Sequence, residues 1–223
     1  MYKLHIKSSL LVASLYVMSI SNVQATLING SFENPAFSPG TVSIDYPVSI
    51  PGWQTTDRAF EIWSDGALGV TSYDGNQHAE LNAFIAGTLY QNAAGISAGS
   101  QVGFEFAHRG RAGVETMHLD IVDLGIDNIF GTLDDTSLFS KNYSTGTSGW
   151  ALYTSVGESP ILALGNTVRF AYSAVGGVSV GNFLDAAKFG VDVVTVPEPT
   201  TLALLAFGLA GIGYGQRRSK TAA

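Results

Sequence analysis

Short runs of alternating apolar and polar residues recur along most of this chain, and they constrain its fold more than any other feature. In the run from Glu115 to Ile121, Met117, Leu119 and Ile121 share one face. Such period-two alternation is typical of half-buried strands. The other runs are Ala59–Trp63, Gln101–His108, Thr167–Tyr172 and Phe189–Val193. Gly and Ser separate the runs, and residues 26–195 show no sustained 3.6-residue apolar period. The pattern therefore predicts an all-β fold, an antiparallel β-sandwich of roughly eight to ten strands.

Both ends of the chain differ in composition from this middle part. Lys3 and Lys7 precede an apolar stretch from Ser9 to Ile20, and Val23-Gln24-Ala25 is a small-residue cleavage motif. These are the three parts of a secretory signal peptide, so residues 1–25 are predicted to be removed after Ala25; an uncleaved anchor is the alternative. Residues 196–223 combine a proline-bounded triplet, an apolar run and a basic cluster. One domain, residues 26–195, is therefore predicted between two targeting segments.

The C-terminal segment closely resembles the PEP-CTERM sorting signal of Gram-negative bacteria. Pro197-Glu198-Pro199 matches the recognised triplet, Leu202–Tyr214 the apolar run, and Arg217-Arg218 the basic stop. The resemblance implies export through signal peptidase, processing by an exosortase-type membrane enzyme, and delivery to the cell surface or extracellular matrix. The apolar run has about 13 residues, fewer than the ~20 that cross a bilayer comfortably. This length favours transient membrane association over an ordinary C-terminal anchor, which is the alternative.

Charge and cysteine content exclude several partners and chemistries. All 18 Asp and Glu but only six Lys and Arg lie between Thr26 and Pro199, which gives this span a net charge near −12. Such a surface repels nucleic acid and anionic membrane, and it suits metal cations. The chain has no Cys, so disulfides, thiolate zinc sites and thiol nucleophiles are excluded.

Motifs at the two ends of the predicted domain resemble the galactose-binding-like jelly roll shared by many carbohydrate-binding modules. The segment Leu27–Glu33 contains Asn-Gly-Ser-Phe-Glu, Ile50–Trp53 supplies a Gly-Trp pair, and Asn182–Asp185 places two apolar residues before an Asp. The resemblance covers the two ends of the domain well and its middle poorly. It implies a jelly-roll fold and a carbohydrate ligand.

The same resemblance implies a structural Ca²⁺ where the first and last strands meet. Glu33 and Asp185 would be its side-chain ligands, and backbone carbonyls would complete the six to eight oxygens that Ca²⁺ prefers. The chain departs from the family at Ala186, where a second acidic residue is common. The alternative is that both carboxylates only cap turns by accepting backbone N–H bonds.

A second candidate cation site lies in the acidic stretch from Asp123 to Asp135. Counted from Asp123, acidic residues fall at the first, fifth and twelfth positions (Asp123, Asp127, Asp134), with the carbonyl of Ile129 at the seventh. This is the layout of an EF-hand-style loop, but it lacks a side-chain oxygen at the third position and the long bidentate Glu at the twelfth. The stretch predicts weak Ca²⁺ binding; a solvated acidic hairpin is the alternative.

The segment from Glu61 to Asn82 is the predicted ligand surface. Sugar recognition needs an aromatic face and planar polar groups, and this segment interleaves both. The Gly-flanked turn that contains Arg109 and Arg111 follows this segment along the chain and offers further hydrogen-bond donors. An Arg paired with Glu80 in a structural salt bridge is the alternative for that turn. The predicted ligand-binding residues are Trp63, Tyr73, Asn76, Gln77, His78, His108, Arg109 and Arg111.

Motifs for catalysis are weak in this chain. It contains no Gly-x-Ser-x-Gly, His-Glu-x-x-His or P-loop sequence. Three functions stay open: a non-catalytic surface or matrix protein that binds exopolysaccharide or a surface glycan, a structural or adhesion protein without a sugar site, and a polysaccharide hydrolase. The first is the prediction, with Ca²⁺ as a structural cofactor only.

Overall fold

The computed structural model describes residues 27–44 and 49–191, and these residues form two antiparallel sheets. The single helical segment among them is a 3₁₀ turn at Ala67–Gly69. The described strands are β1 (Val42–Ser43), β2 (Gln54–Thr55), β3 (Glu61–Ser64), β4 (Gln77–Glu80), β5 (Thr88–Ala94), β6 (Gln101–Gly110), β7 (Glu115–Asp123), β8 (Thr136–Thr145), β9 (Ala151–Thr154), β10 (Ile161–Leu162), β11 (Thr167–Ala174) and β12 (Asn182–Gly190).

The two sheets differ in size. The large sheet has the order β1-β3-β4-β12-β6-β10, with β9 also paired to β6, and the small sheet has the order β2-β5-β11-β7-β8. All pairings are antiparallel, and the chain passes from the small sheet to the large sheet and back at β5, β6 and β7. This arrangement confirms the predicted jelly-roll sandwich. Twelve strands are described rather than eight to ten because β1, β2 and β10 have two residues each, too few for a recognisable alternation.

The core lies between the sheets and is made by the residues that alternation places inward. Met117, Leu119 and Ile121 of β7 are fully buried, opposite Phe104 and Phe106 of β6. Alternate residues of β11 and β12 complete this layer. The cluster draws its fully buried members from residues 32–189, so the described part of the chain has a hydrophobic core of its own, as an independent folding unit needs.

A bulge in β12, the last described strand, contacts the beginning of the described part of the chain. The register of β12 against β6 shifts between Asp185 and Lys188, and Ala186 takes a left-handed conformation there (φ 48°). The Ala187 N–H donates to the carbonyl of Gly30 at 3.0 Å. A Cβ on Gly30 would lie 1.8 Å from the Ala187 carbonyl oxygen, so only glycine allows this contact.

Candidate functional site

Trp63, the aromatic residue expected to face a sugar, lies on the outer face of the large sheet and is buried there. It is 1% exposed. Its ring meets Phe183 edge-on at 5.0 Å and stacks with His78 at 6.2 Å. Trp150 covers this group, 5.2 Å from His78. Contrary to the prediction, Trp63 presents no ring face to solvent, because a small second apolar cluster closes over it.

A buried ion-pair network borders this cluster. Arg111 Nη1 donates to both oxygens of Glu80, at 2.8 and 3.1 Å, and lies 3.8 Å from Glu61 Oε1. The Arg111 guanidinium also lies 4.6 Å above the Trp63 ring. Burial, and then the adjacent Glu80 charge, raise the pKa of Glu61 to about 8. At neutral pH the Glu61 carboxyl is therefore mainly protonated, and burial also raises the pKa of Glu80, which is paired with Arg111. This is the structural salt bridge left open as an alternative for Arg111.

The other predicted ligand residues on this face have different environments. Tyr73 is exposed, and its ring stands edge-on to Trp150 at 6.4 Å. Arg109 donates from Nη2 to the Thr147 carbonyl. The face therefore brings together Trp63, Tyr73, His78, Arg109 and Arg111. Burial lowers the pKa of His78 to about 4, so this imidazole is neutral at pH 7.

His108 does not join this face because it points to the opposite, core-facing side of β6. Its Nε2 is hydrogen-bonded to Asn182 Oδ1 at 2.8 Å and its Nδ1 to Thr145 Oγ1 at 2.9 Å. Burial lowers its pKa to about 4. A neutral, fully buried imidazole with both nitrogens paired is part of the core, contrary to the prediction that it contacts a ligand.

Asn76 and Gln77 lie at the start of the interior strand β4, in a side pocket of about 330 Å³. The Gln77 side-chain nitrogen donates to the carbonyls of Phe32 and Pro35, so this amide fastens the N-terminal segment and is buried. Asn76 is exposed. The pocket is lined by Glu33, Ala36, Phe37, Pro39, Ser64, Asp65, Asn76 and Gln77.

Glu33 and Asp185, the first pair of predicted Ca²⁺ ligands, accept backbone N–H bonds. Glu33 Oε1 accepts from Asn76 and Gln77, each at 2.7 Å. Asp185 is fully buried, and its oxygens accept from three N–H groups. Burial raises the pKa of Asp185 to about 7 in spite of these bonds. This is the turn-capping arrangement left open for the pair; Ca²⁺ binding at these two residues stays a prediction.

The second predicted Ca²⁺ loop shows the same kind of bonding. Asp127 Oδ1 accepts the Ile129 N–H, and Asp134 Oδ2 accepts the Ile126 N–H. Asp123 is buried, and its side chain accepts from the amides of the 164–165 turn. Within residues 27–44 and 49–191, no group of three or more acidic or histidine side chains is arranged to hold a metal.

A groove on the outer face of the small sheet was not predicted, and its centre is Arg169 of β11. The Arg169 guanidinium lies between two aromatic rings, 3.4 Å from the ring centre of Tyr90 and 4.1 Å from that of Phe130. Arg169 is 8% exposed, and its Nε has no hydrogen-bond partner. Burial lowers the pKa of the guanidinium from its ordinary value. A buried donor without a partner is costly, and Arg169 is one of the residues that line the groove.

The rest of the groove combines polar and apolar side chains. Thr88 and Ser173 share a hydrogen bond of 2.8 Å on its floor, and Asp120 pairs with His118 at 3.0 Å on its side. Its volume of about 160 Å³ is below the 300–1,000 Å³ of enclosing pockets, so a ligand would lie along the surface. The lining residues are Thr56, Thr88, Asp120, Val122, Phe130, Arg169, Ala171 and Ser173.

The sequence carried one usable signal for this groove. Alternation in Thr167–Tyr172 places Val168, Phe170 and Tyr172 inward, which leaves Arg169 as an outward charged residue on a central strand. Tyr90 lies on β5, which pairs with one side of β11, and Phe130 lies in the loop after β7, which pairs with the other side of β11. The two rings therefore reach Arg169 from segments that are separate in the sequence.

The processing residues Ala25, Pro197, Glu198, Pro199, Arg217 and Arg218 lie outside the described residues. Residues 195–218 match the family model of the PEP-CTERM protein-sorting motif, which confirms the predicted sorting signal. Among the described residues, no helix is long and apolar enough to cross a membrane. A search of curated proteins found no match to this chain.

Several solved structures resemble the described sandwich. One is a family 61 carbohydrate-binding module in complex with β-1,4-galactotriose (17% identity, 72% of this chain and 94% of that chain covered, TM-score 0.45). Another is the CBM22-2 xylan-binding domain of Paenibacillus barcinonensis Xyn10C (8% identity, 64% and 93% covered, TM-score 0.45). A third is the K2 cleaved adhesin domain of Lys-gingipain (13% identity, 75% and 98% covered, TM-score 0.46).

Proposed function

We propose that this protein is an exported, non-catalytic β-sandwich that binds carbohydrate in the groove on its small sheet. The observation that carries the proposal is Arg169, whose guanidinium is held between Tyr90 and Phe130 with its Nε buried and unpaired. Sugar hydroxyls accept hydrogen bonds from guanidinium N–H groups, and aromatic rings pack against the C–H faces of a sugar.

The shape of the groove favours a chain over a single small ligand. Its floor follows β11 from Arg169 to Ser173, about 14 Å of extended strand. Near the Thr56 end, Phe84 is exposed and lies under the Arg58 guanidinium at 4.3 Å. An aromatic ring stacked with an arginine therefore lies at each end of the groove floor, an arrangement that suits a linear polysaccharide segment.

The sorting motif supports a glycan as the class of ligand. A PEP-CTERM motif at residues 195–218 directs a protein toward the surface or matrix of a Gram-negative cell, where exopolysaccharide and surface glycans are the abundant polymers. The net charge near −12 between Thr26 and Pro199 favours neutral over anionic glycans, because like charges repel.

The arrangement of carboxylates supports binding without hydrolysis. Glycoside hydrolysis uses two carboxyl groups on either side of the bond to be cleaved. Of the described residues that line the groove, Asp120 is the single carboxylic acid. The closely paired Glu61 and Glu80 lie on the other sheet and are occupied by Arg111.

The test is a binding screen against neutral and acidic polysaccharides with residues 26–196, which include the whole core. Saturable binding that Phe130→Ala weakens at least tenfold is expected. Tyr73→Ala removes an exposed aromatic ring from the large sheet and is the matched control; it should leave the affinity unchanged. The reverse pattern would move the site to the large sheet.

Two other outcomes would replace the proposal. A folded protein that binds no glycan would be a structural or adhesion protein. Release of reducing ends from a bound polysaccharide would indicate a hydrolase.

A further inference from the structure

One end of the sandwich exposes apolar side chains, and the chain continues from that same end toward its apolar tail. This exit end consists of the loops at residues 95–100, 124–135 and 163–166, together with Val191. Ile126 is 94% exposed, and Leu133 is fully exposed. Ile129 and Leu164 are each more than half exposed. Adjacent exposed aliphatic side chains form a candidate interaction surface. The opposite end also exposes apolar residues, such as Val175 and Val178, and the exit end differs from it in being the place where the chain leaves the domain.

The 124–135 loop pairs several of its backbone N–H groups with its own aspartates and exposes its large apolar side chains. Asp134 Oδ2 accepts the Ile126 N–H at 2.7 Å, and Asp127 Oδ1 accepts the Ile129 N–H at 2.8 Å. Asp135 accepts the Gly131 N–H in the same way. Because these backbone N–H groups are already paired, contact of the loop tip with a nonaqueous surface leaves none of these three groups without an acceptor.

The loop is also held in position at its base. The buried Asp123 side chain accepts the Gly125 N–H within the loop and the N–H groups of Leu164 and Gly165 in the neighbouring one. The Leu124 N–H donates to the Thr167 carbonyl. Leu164 is thereby fixed beside the 124–135 loop, so the exposed aliphatic residues form one surface.

Strand pairing shows that the chain leaves the domain at this end. The 111–114 connection joins the end of β6 to the start of β7, so the start of β6 and the end of β7 lie at the opposite end of the sandwich. Gly190, the last residue of β12, pairs with Gly103 near the start of β6. Ten residues separate Val191 from Leu202, the first residue of the apolar run, and they span at most ~35 Å.

We propose that the exit end rests on the surface of a phospholipid bilayer while the apolar run is in the membrane, with Ile126, Ile129, Leu133 and Leu164 in the interface. The inference rests on the export route of the proposed function and is independent of glycan binding. Interfacial binding follows buried apolar area, and the aspartates of the loop select a zwitterionic over an anionic surface. In this orientation the strands run roughly perpendicular to the bilayer plane, and the groove on the outer face of the small sheet remains accessible to ligand.

Because the chain has no Cys, a single introduced Cys can be labelled specifically, and this permits a site-specific test. Leu133→Cys is labelled with an environment-sensitive fluorophore in the exported chain, residues 26–223, on phosphatidylcholine vesicles. Val178→Cys is the matched control, because Val178 is exposed in the loop between β11 and β12 at the other end. We expect quenching by aqueous iodide to fall several-fold on vesicles for the label at 133, and to stay unchanged for the label at 178.

Three results would overturn the inference. Equal quenching at both positions on vesicles would show that the end does not touch lipid. Protection of position 133 without vesicles would assign the surface to a second copy or to the tail. Failure of the chain to co-sediment with vesicles would remove the membrane insertion on which the inference rests. Glycan binding is measured on the same labelled proteins, so that a failure of glycan binding in the groove can be distinguished from each of these three results.

A second variant checks that the apolar side chains themselves make the contact. With the label at Ile129→Cys, the added changes Ile126→Ser and Leu133→Ser should abolish the protection by vesicles. Val175→Ser and Val178→Ser, at the other end, should leave it intact. Protection that persists in the first variant would contradict the inference.

Discussion

Glu33 and Asp185 lie far apart in sequence and hold the two halves of one turn. Asp185 Oδ2 accepts the N–H groups of Tyr73 and Asp74, at 2.8 and 2.9 Å. Glu33 Oε1 accepts the N–H groups of the turn residues 76 and 77, both at 2.7 Å. The turn lies beside the cluster that encloses Trp63. The first and last described segments of the domain thus fasten this covering turn without a covalent link.

The first prediction concerns the stability that Asp185 contributes. Asp185→Ala leaves the N–H groups of Tyr73, Asp74 and Ala186 without their acceptor in a buried place, at about 1–3 kcal/mol for each group that stays unpaired. We expect the free energy of unfolding in urea to fall by about 3 kcal/mol. Asp74→Ala is the control, because it removes one exposed carboxylate from the same turn and should cost less than about 1 kcal/mol. Equal losses in the two variants would contradict this account.

The second prediction concerns Ca²⁺. If Glu33 and Asp185 bind the ion in solution, chelator should lower the melting temperature, since a ligand at 100 times its Kd stabilises a protein by about 2.7 kcal/mol. Asp185→Ala should remove that response. Asp127→Ala should abolish only a weaker effect of millimolar Ca²⁺ in the second loop. A melting temperature that chelator leaves unchanged would remove both calcium sites.

Sequence reasoning predicted the fold because strand alternation is a local signal. It could not predict which outward-facing side chains are covered, because those contacts join segments far apart in the sequence. Alternation in β6, β7 and β11 identified the inward residues, because a strand with one buried face has apolar residues at every second position. Alternation cannot tell whether the other face is covered. Trp63 is covered by Trp150, almost 90 residues further along the chain. The Arg169 groove likewise depends on ring contacts between separate segments.

The third prediction concerns the pH dependence of stability at Glu61. Its pKa is raised to about 8 in the folded protein, from 4.5, mainly by burial. The folded state therefore binds more protons than the unfolded state between about pH 4.5 and 8, and stability falls as pH rises through that window. Glu61→Gln should remove this slope and raise the free energy of unfolding at pH 9 by on the order of 2 kcal/mol.

The control for this pH effect is an exposed carboxylate. Glu158→Gln removes a surface partner of Lys141 and should leave the slope between pH 5 and 8 unchanged. Urea titrations at several pH values measure both variants. A slope that survives in Glu61→Gln would place the extra proton on Glu80, and the double change with Glu80→Gln would then remove it.

The fourth prediction separates the charge of Arg169 from its planar shape. Lysine keeps the positive charge, but it cannot fill the space between Tyr90 and Phe130 with a flat group or present several donors in one plane. If the groove binds sugar through stacking and forked hydrogen bonds, Arg169→Lys should weaken polysaccharide binding about tenfold, nearly as much as Arg169→Ala. Isothermal titration with the best polysaccharide from the screen measures both. Affinity restored by lysine would mean that charge alone attracts the ligand, in which case raised salt should weaken binding to the wild-type protein as well.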